Sequence, residues 1–223
     1  LVSPAGFLSD ESNLDREMSM GYAVRPETIE TTIVILFEIS FILLAIQAVN
    51  IDDIPRMKIA ITAFFMTLIP YVAEKLLRIS FPLGIKLMIP LAIFVHVAGG
   101  IMDWYWSPVF PLYDKLAHFI SGMAVGLVMF AFFLVLDLYG VRFKRTTVLI
   151  GIFLLVAFLG GIWKIGEVYF DITLNAMFDE GLPDLIGDNI CHTIGSLAAV
   201  IVSWLYFLTI PEGDDIKSLL KKR

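Results

Sequence analysis

The stretch that decides the fold is YDKLAHFISGMAVGLVMFAFFLVLDL, residues 113–138. After a polar first turn it continues as a long apolar run, and an α-helix needs about 20 such residues to cross the hydrocarbon core of a bilayer. This run therefore predicts a transmembrane helix. The whole chain agrees, because 58% of its 223 residues are hydrophobic and 17% are charged, which is far more apolar than an average soluble domain.

Five further runs of similar length flank this one. The six predicted spans are roughly 29–49, 59–77, 84–105, 114–138, 147–170 and 185–209, and proline, glycine and charged residues separate them. The predicted fold class is all-α: a polytopic membrane helix bundle in residues 28–210 with about six transmembrane helices. Residues 1–27 are predicted to form a polar N-terminal tail, and residues 211–223 a basic C-terminal tail.

The distribution of basic residues predicts the orientation of the bundle. Six spans place both termini on one side, which then holds twelve Lys and Arg residues, and the other side holds four. The twelve are Arg16, Arg25, Lys75, Arg78, Lys86, Arg142, Lys144, Arg145, Lys217, Lys221, Lys222 and Arg223; the four are Arg56, Lys58, Lys115 and Lys164. We therefore predict a multi-pass protein of the cell (plasma) membrane with both termini cytoplasmic.

The opposite, extracytoplasmic side is predicted to be acidic. Its loops and helix ends carry ten carboxylates: Asp52, Asp53, Asp103, Asp114, Glu167, Asp171, Asp179, Glu180, Asp184 and Asp188. Nucleic acid is not an expected partner, because acidic residues outnumber basic ones by 22 to 16 and no basic patch is interleaved with aromatic residues. The single cysteine, Cys191, excludes an intramolecular disulfide.

Two segments of the chain resemble each other. GGIMDW (99–104) followed by YDKLAHFISGMAV (113–125) matches GGIWKI (160–165) followed by GDNICHTIGSLAA (187–199). Each pair reads as the end of one helix, a loop, and the start of the next helix with the pattern D-x-x-x-H-x-I. The similarity predicts a duplicated helical hairpin, arranged as a parallel repeat about an axis along the membrane normal.

The repeated pattern places polar side chains on one helix face. Residues four apart on an α-helix point the same way, so Asp114 and His118 form one row, and Asp188 and His192 form a second. Aspartate and histidine inside a membrane span are costly and usually face a bundle interior. Carboxylate oxygens and imidazole nitrogens suit Zn²⁺, Mn²⁺ or Fe²⁺, so these four residues are predicted to bind a divalent metal ion.

Four further polar residues lie on the same predicted side. Glu167 is the candidate general base if the metal activates a water molecule. The candidate substrate-binding residues are Asp171, Asp184 and Asn189. The structural alternative stays open: each aspartate can stabilise the start of its helix and accept a hydrogen bond from its own histidine.

Other charged or polar residues in the spans receive structural interpretations. Lys115 is predicted to snorkel toward the surface outside the site. His96 is predicted to make a hydrogen bond inside the bundle. For Glu38, in the middle of the first span, two interpretations remain: a proton or ion relay, and an interhelical hydrogen bond.

The residues WYWSPVFPLYDKLAHFISG, WKIGEVYFD and DEGLPDLIGDNICHTIGS resemble the YjdF-like inner-membrane proteins, a family of unknown function, over roughly residues 60–205. More distantly, the D-K-x-x-H-F helix start resembles VanZ-like proteins. The first resemblance implies that the family's polar positions are occupied here by Asp114, His118, Glu167, Asp184, Asp188 and Asn189. The second implies an outward-facing site near lipid headgroups.

The leading hypothesis is an extracytoplasmic site that binds a divalent metal and a lipid headgroup or lipid-linked substrate, with metal-assisted hydrolysis as the reaction class if the protein is an enzyme. Alternatives are an ion- or proton-coupled transporter using Glu38 and His96, bis-histidine haem between His118 and His192, and a non-catalytic interaction subunit. Membrane lipid is the expected partner, and a homo-oligomer or a membrane complex stays open.

Overall fold

The computed structural model describes residues 26–174, 181–211 and 213–222, and these residues are almost entirely helical. The helices are α1 Pro26–Asn50, α2 Ile54–Thr67, α3 Ile69–Leu77, α4 Leu83–Ile101, α5 Tyr113–Leu138, α6 Arg145–Leu174 and α7 Leu182–Leu208. Six spans are long and apolar enough to cross a membrane, with α2 and α3 together making one of them. The prediction of an all-α, six-span membrane protein is confirmed. The N-terminal tail predicted at 1–27 lies largely outside the described residues.

Two helix ends differ from their predicted positions because of local capping. The second span begins at Ile54, where the Asp53 side chain accepts a hydrogen bond from the backbone N–H of Arg56 at 2.9 Å, a typical N-cap interaction. The third span ends at Ile101. Asp103 beyond it has a left-handed backbone with φ 54°, and a separate 3₁₀ turn follows at Trp104–Trp106, so the aromatic residues lie outside the helix.

The bundle has two ends, which we call the site face and the termini face. The site face carries the loops 51–53 and 102–112 and the first turns of α5 and α7. The first turn of α2 is joined to the loop 102–112 by an ion pair between Arg56 and Asp103, with Nη2 3.0 Å from Oδ1. The termini face carries the start of α1 and the residues after α7. The site face is the one predicted to be extracytoplasmic.

Helices α5 and α7 form the most extensive helix pair among the described residues, and both begin at the site face. Gly122 of α5 lies against the carbonyl oxygen of His192, and Gly195 of α7 lies against the carbonyl oxygen of Phe119, so closely that a Cβ atom on either glycine would overlap. Small residues allow this close approach in membrane helices. The reciprocal contact agrees with the predicted parallel repeat, which stays a prediction.

The C-terminal segment packs on the termini face. A two-residue strand β2 (Lys221–Lys222) pairs antiparallel with β1 (Ile79–Ser80). Ile216 is buried in the core, and the backbone N–H of Lys217 donates to Asp137 Oδ2 at 2.9 Å. The segment predicted as a basic tail is therefore, in its described part, joined to the bundle by core and backbone contacts.

Candidate functional site

The centre of the site is Asp188, a buried carboxylate with 2% of its surface exposed near the start of α7. Its Oδ1 accepts a hydrogen bond from Lys115 Nζ at 2.6 Å, and its Oδ2 accepts one from Lys164 Nζ at 2.6 Å. His118 Nε2 lies 3.3 Å from Oδ2. Three helices, α5, α6 and α7, therefore meet at one carboxylate, and two ammonium groups compensate the cost of burying it.

Lys115 belongs to the site, and the prediction that it snorkels away is wrong. Its Nζ donates to Asp114 Oδ2 at 2.8 Å and also to Asp184 and Asp188. Gly187 makes room for the lysine, since a Cβ there would lie 3.2 Å from Lys115 Cε. Three carboxylates on two helices outweigh hydration of the ammonium at the surface, so the long side chain reaches across to α7 instead of toward water.

His118 lies between two of these carboxylates. Its Nε2 is 3.4 Å from Asp114 Oδ1 and 3.3 Å from Asp188 Oδ2, so the predicted Asp114–His118 row on one helix face is confirmed as a geometric arrangement. One ligand atom from each of Asp114, His118 and Asp188 lies within 4.8 Å of the others. These three of the four predicted metal ligands come together. We call these residues, with Lys115, Lys164 and Asp184, the ion network.

The fourth predicted ligand, His192, is not in the described group of three. Its ring packs against Gly160 of α6, where a Cβ would lie 3.3 Å from Nδ1. Its Nε2 is buried and has no hydrogen-bond partner among the described residues. Helical spacing predicted His192 on the same face as Asp188, but its ring packs on Gly160 of α6.

The predicted substrate-binding residues lie in different surroundings. Asp184 is part of the ion network through Lys115. Asn189 donates from Nδ2 to the carbonyl of Leu185 in its own helix at 3.0 Å. It also lines a cleft between α6 and α7. The side chains of Asp171 and of Glu167, the candidate general base, lie outside the described residues.

Lys164 is the functional candidate that the sequence interpretation missed. It is 6% exposed within α6 and contacts the most buried carboxylate of the network. The signal was present in the sequence, because a lysine inside an apolar span needs an acidic partner. Spacing along α6 alone does not identify which aspartate that partner is.

A second group of polar residues borders the network on α4. His96 has one ring nitrogen, Nδ1, 2.5 Å from the Tyr105 hydroxyl and the other, Nε2, 2.5 Å from Ser121 Oγ. The prediction of a hydrogen bond inside the bundle is confirmed. The ring of His96 also lies edge-on to that of His118, with centroids 5.8 Å apart, so this group links the 3₁₀ turn on the site face to the network.

A cleft of about 300 Å³ lies between α6 and α7. Its lining residues are Gly161, Lys164, Ile165, Val168, Leu185 and Asn189. Most of this surface is apolar, and Lys164 and Asn189 supply its polar groups. Since Lys164 Nζ also contacts Asp188, the cleft borders the ion network directly.

The model of a family described as "Predicted membrane protein (DUF2238)" matches residues 29–209. The chain belongs to the DUF2238 family. This family is the YjdF-like one, and its match covers all six spans of the DUF2238 protein. The comparisons do not show the VanZ-like resemblance. Comparisons with curated proteins and with solved structures give no significant match.

The site combines three carboxylates, two ammonium groups and one imidazole, and each carboxylate lies next to an ammonium group of opposite charge. The donor set of Asp114, His118 and Asp188 fits Zn²⁺, Mn²⁺ or Fe²⁺ by atom type. However, the lysines already donate to both oxygens of Asp188 and to one oxygen of Asp114. A metal ion at this position would therefore compete with both lysines, and above all with Lys164, which donates to the Asp188 oxygen that lies 3.3 Å from His118 Nε2.

Proposed function

We propose that this DUF2238 membrane protein binds the headgroup of a lipid or lipid-linked substrate at the ion network, with the apolar part of the ligand in the α6–α7 cleft. The lining of the cleft carries this proposal: apolar walls with Lys164 and Asn189 as polar groups. Ligand sites commonly combine apolar surface with a few placed polar groups. A headgroup that contacts Lys164 also comes next to Asp188.

A lipid fits the surroundings of the cleft better than a soluble ligand. Ile165, Leu182 and Ile186, on the two helices that form the cleft, are all at least 49% exposed. In a membrane protein such apolar side chains contact hydrocarbon. A molecule entering between α6 and α7 would therefore approach from the bilayer, and its headgroup would meet both ammonium and carboxylate groups.

The test is thermal unfolding of the purified protein in mild detergent with added phosphatidylethanolamine, phosphatidylglycerol or phosphatidylcholine, and diacylglycerol as a lipid without a charged headgroup. We expect a saturable rise of the unfolding midpoint with at least one charged headgroup. Asn189→Leu should weaken the apparent affinity about tenfold, or about 1.4 kcal/mol. The matched control is Lys58→Met, which removes an exposed lysine on the site face.

Two results would overturn the lipid proposal. One is equal stabilisation by diacylglycerol and by every charged lipid, which would indicate general solvation of the apolar surface. The other is unchanged headgroup affinity in Asn189→Leu and in Lys164→Met. The second variant removes the ammonium that joins the cleft to Asp188, so a headgroup bound as proposed loses its main contact.

A second candidate function is divalent metal binding by Asp114, His118 and Asp188, favoured by the proximity of one ligand atom from each residue within 4.8 Å. When bound, such an ion would act as a Lewis acid toward a headgroup or a water molecule. Metal-assisted hydrolysis with Glu167 as general base remains a prediction, because the Glu167 side chain lies outside the described residues.

Metal content decides this second candidate. If a metal ion is resident, the purified protein should contain about one Zn, Mn or Fe per chain by elemental analysis, and Asp114→Asn should lose it. Otherwise, added Mn²⁺, followed by electron paramagnetic resonance, should bind only when Lys115→Met and Lys164→Met together remove the ammonium groups from Asp114 and Asp188. A wild-type chain and a chain with both lysines replaced that alike fail to bind Mn²⁺ would exclude a metal at this position.

A further inference from the structure

A second polar site lies away from the ion network, where the second span is interrupted. Helix α2 ends at Thr67 and α3 starts at Ile69, near the middle of the span Ile54–Leu77. Pro70 lies in the first turn of α3 and has no N–H to donate to the residue four positions earlier. The N–H of Leu68 instead bonds to the Phe65 carbonyl at 3.3 Å, so the two helices form a discontinuous span.

Glu38 of α1 faces this interruption from the middle of its own span. Its Oε1 accepts a hydrogen bond from Thr67 Oγ1 at 2.6 Å, which confirms the interhelical hydrogen bond that was one of its two interpretations. Its Oε2 is buried and has no hydrogen-bond partner among the described residues. Buried polar atoms without a partner are rare and usually indicate a missing water or ion.

A second buried oxygen without a partner lies one turn further along. Tyr71 is four residues after Thr67, and its hydroxyl is buried with no hydrogen-bond partner in the described part of the chain. Because Thr67 bonds to Glu38 and Tyr71 follows one turn later in the chain, the two buried oxygens without a partner both border the interruption between the helices.

The charges nearby do not neutralise Glu38. Lys86 is buried on α4 and forms ion pairs with Glu30 and Glu74, with Nζ 3.1 Å from Glu74 Oε1. In the described part of the chain, Thr67 is the hydrogen-bond partner of Glu38, and no basic side chain is paired with it. Lys86 is thus shared by Glu30 and Glu74 and does not compensate Glu38, and an uncompensated carboxylate inside a membrane is costly.

We propose that Glu38, Thr67 and Tyr71 bind a sodium ion at the interruption between α2 and α3. Oxygen donors suit a hard cation, and a single carboxylate with neutral hydroxyls matches one positive charge. Membrane proteins place Na⁺ sites near the bilayer midplane, where interrupted helices supply oxygen ligands. The site is separate from the ion network, so sodium binding there uses none of the residues of the network.

The test uses the purified full chain in detergent, with NaCl, KCl and choline chloride exchanged at constant ionic strength and constant pH. Thermal unfolding should show a midpoint that rises with the logarithm of Na⁺ concentration and stays flat with choline. Glu38→Gln should raise the half-saturating Na⁺ concentration at least about tenfold, and Tyr71→Phe by a smaller factor. Ser40→Ala is the matched control, since that hydroxyl bonds to Leu36 in its own helix.

The proposal fails if the midpoint is the same in Na⁺ and in choline, or if Glu38→Gln responds to Na⁺ as the wild type does. A midpoint that changes with pH and not with Na⁺ would indicate a site for a proton alone and would also overturn it. If Glu38→Gln does not fold, Thr67→Val and Tyr71→Phe decide the question, because both keep the carboxylate and remove one hydroxyl each.

Discussion

Lys164 of α6 and Asp188 of α7 form the most buried ion pair of the site, with Nζ 2.6 Å from Oδ2. The pair joins the two helices of the second repeat-like hairpin. Helix α6 runs from the termini face to the site face, and α7 runs back. It also connects the α6–α7 cleft with the aspartates of the network. One contact therefore contributes both to the packing of α6 on α7 and to the charge balance of the network.

Removing the charge of Asp188 should destabilise the protein strongly. Asp188→Asn leaves the two lysines facing a neutral amide, and breaking a buried ion pair on one side costs about 3–5 kcal/mol. Unfolding in sodium dodecyl sulfate titrations measures this loss. The matched control is Asp184→Asn, whose side chain is 22% exposed and should cost less than about 1 kcal/mol. Equal losses in the two variants would contradict the central role of Asp188.

Adding a methyl group between α5 and α7 should force the helices apart. A Cβ at Gly122 overlaps the His192 carbonyl, and one at Gly195 overlaps the Phe119 carbonyl, so each change to alanine should cost about 1–3 kcal/mol. Thermal unfolding in detergent is the measurement. Gly100→Ala provides the comparison, because a Cβ there has no neighbour within 4 Å. If all three variants unfold alike, the close helix contact is not needed for stability.

The hydrogen bonds of His96 should stabilise the loop on the site face. Tyr105→Phe removes the hydroxyl 2.5 Å from Nδ1 and leaves a partly buried ring nitrogen without that contact, at a cost of about 1–3 kcal/mol. Tyr139→Phe, at a tyrosine that is 70% exposed, should have almost no effect. Faster proteolysis within 102–112 in the first variant and not in the second would report the same change locally.

Acid should loosen the C-terminal segment through Asp215. Lys217, with Nζ 3.0 Å from Oδ2, and Arg142, at 3.1 Å, lower the pKa of this carboxyl below its ordinary value of 3.8. A lowered folded-state pKa means that the stabilisation is fully present above about pH 3.8 and is lost as pH falls through the folded-state value.

Carboxypeptidase digestion at a series of pH values measures this effect. The segment should become more susceptible as pH falls below about 3.8, and Asp215→Asn should show the susceptible behaviour already at neutral pH. Asp214→Asn removes a neighbouring exposed carboxyl and should keep the wild-type pH profile. A profile shared by all three proteins would assign the acid response to other groups.

Much of the architecture follows from hydropathy alone, because each span must satisfy its backbone hydrogen bonds internally and so becomes a helix. The errors lie at helix ends. The spans predicted to begin at 59 and to end at 105 begin at Ile54 and end at Ile101. There an aspartate cap and a left-handed residue decide the boundary, and hydropathy does not register either.

The site was predictable within a helix and not between helices. Helical spacing placed Asp114 and His118 together, since both belong to α5. It did not place Lys115, whose flexible stem reaches α7, and it did not reveal that His192 packs against Gly160. Both outcomes depend on which neighbour each helix meets and on the space that a glycine leaves there.

The ion network also changes how the site face acts on molecules at a distance. Ten carboxylates and four bases were assigned to this face from the sequence, a balance that suggests a strong negative potential reaching into the surrounding water. Within the network, each aspartate lies next to an ammonium group, so opposite charges cancel over a few ångströms. The three aspartates and two lysines of the network therefore add little net charge to the face, so long-range attraction of a soluble cation should come from the carboxylates outside the network and should weaken as ionic strength rises.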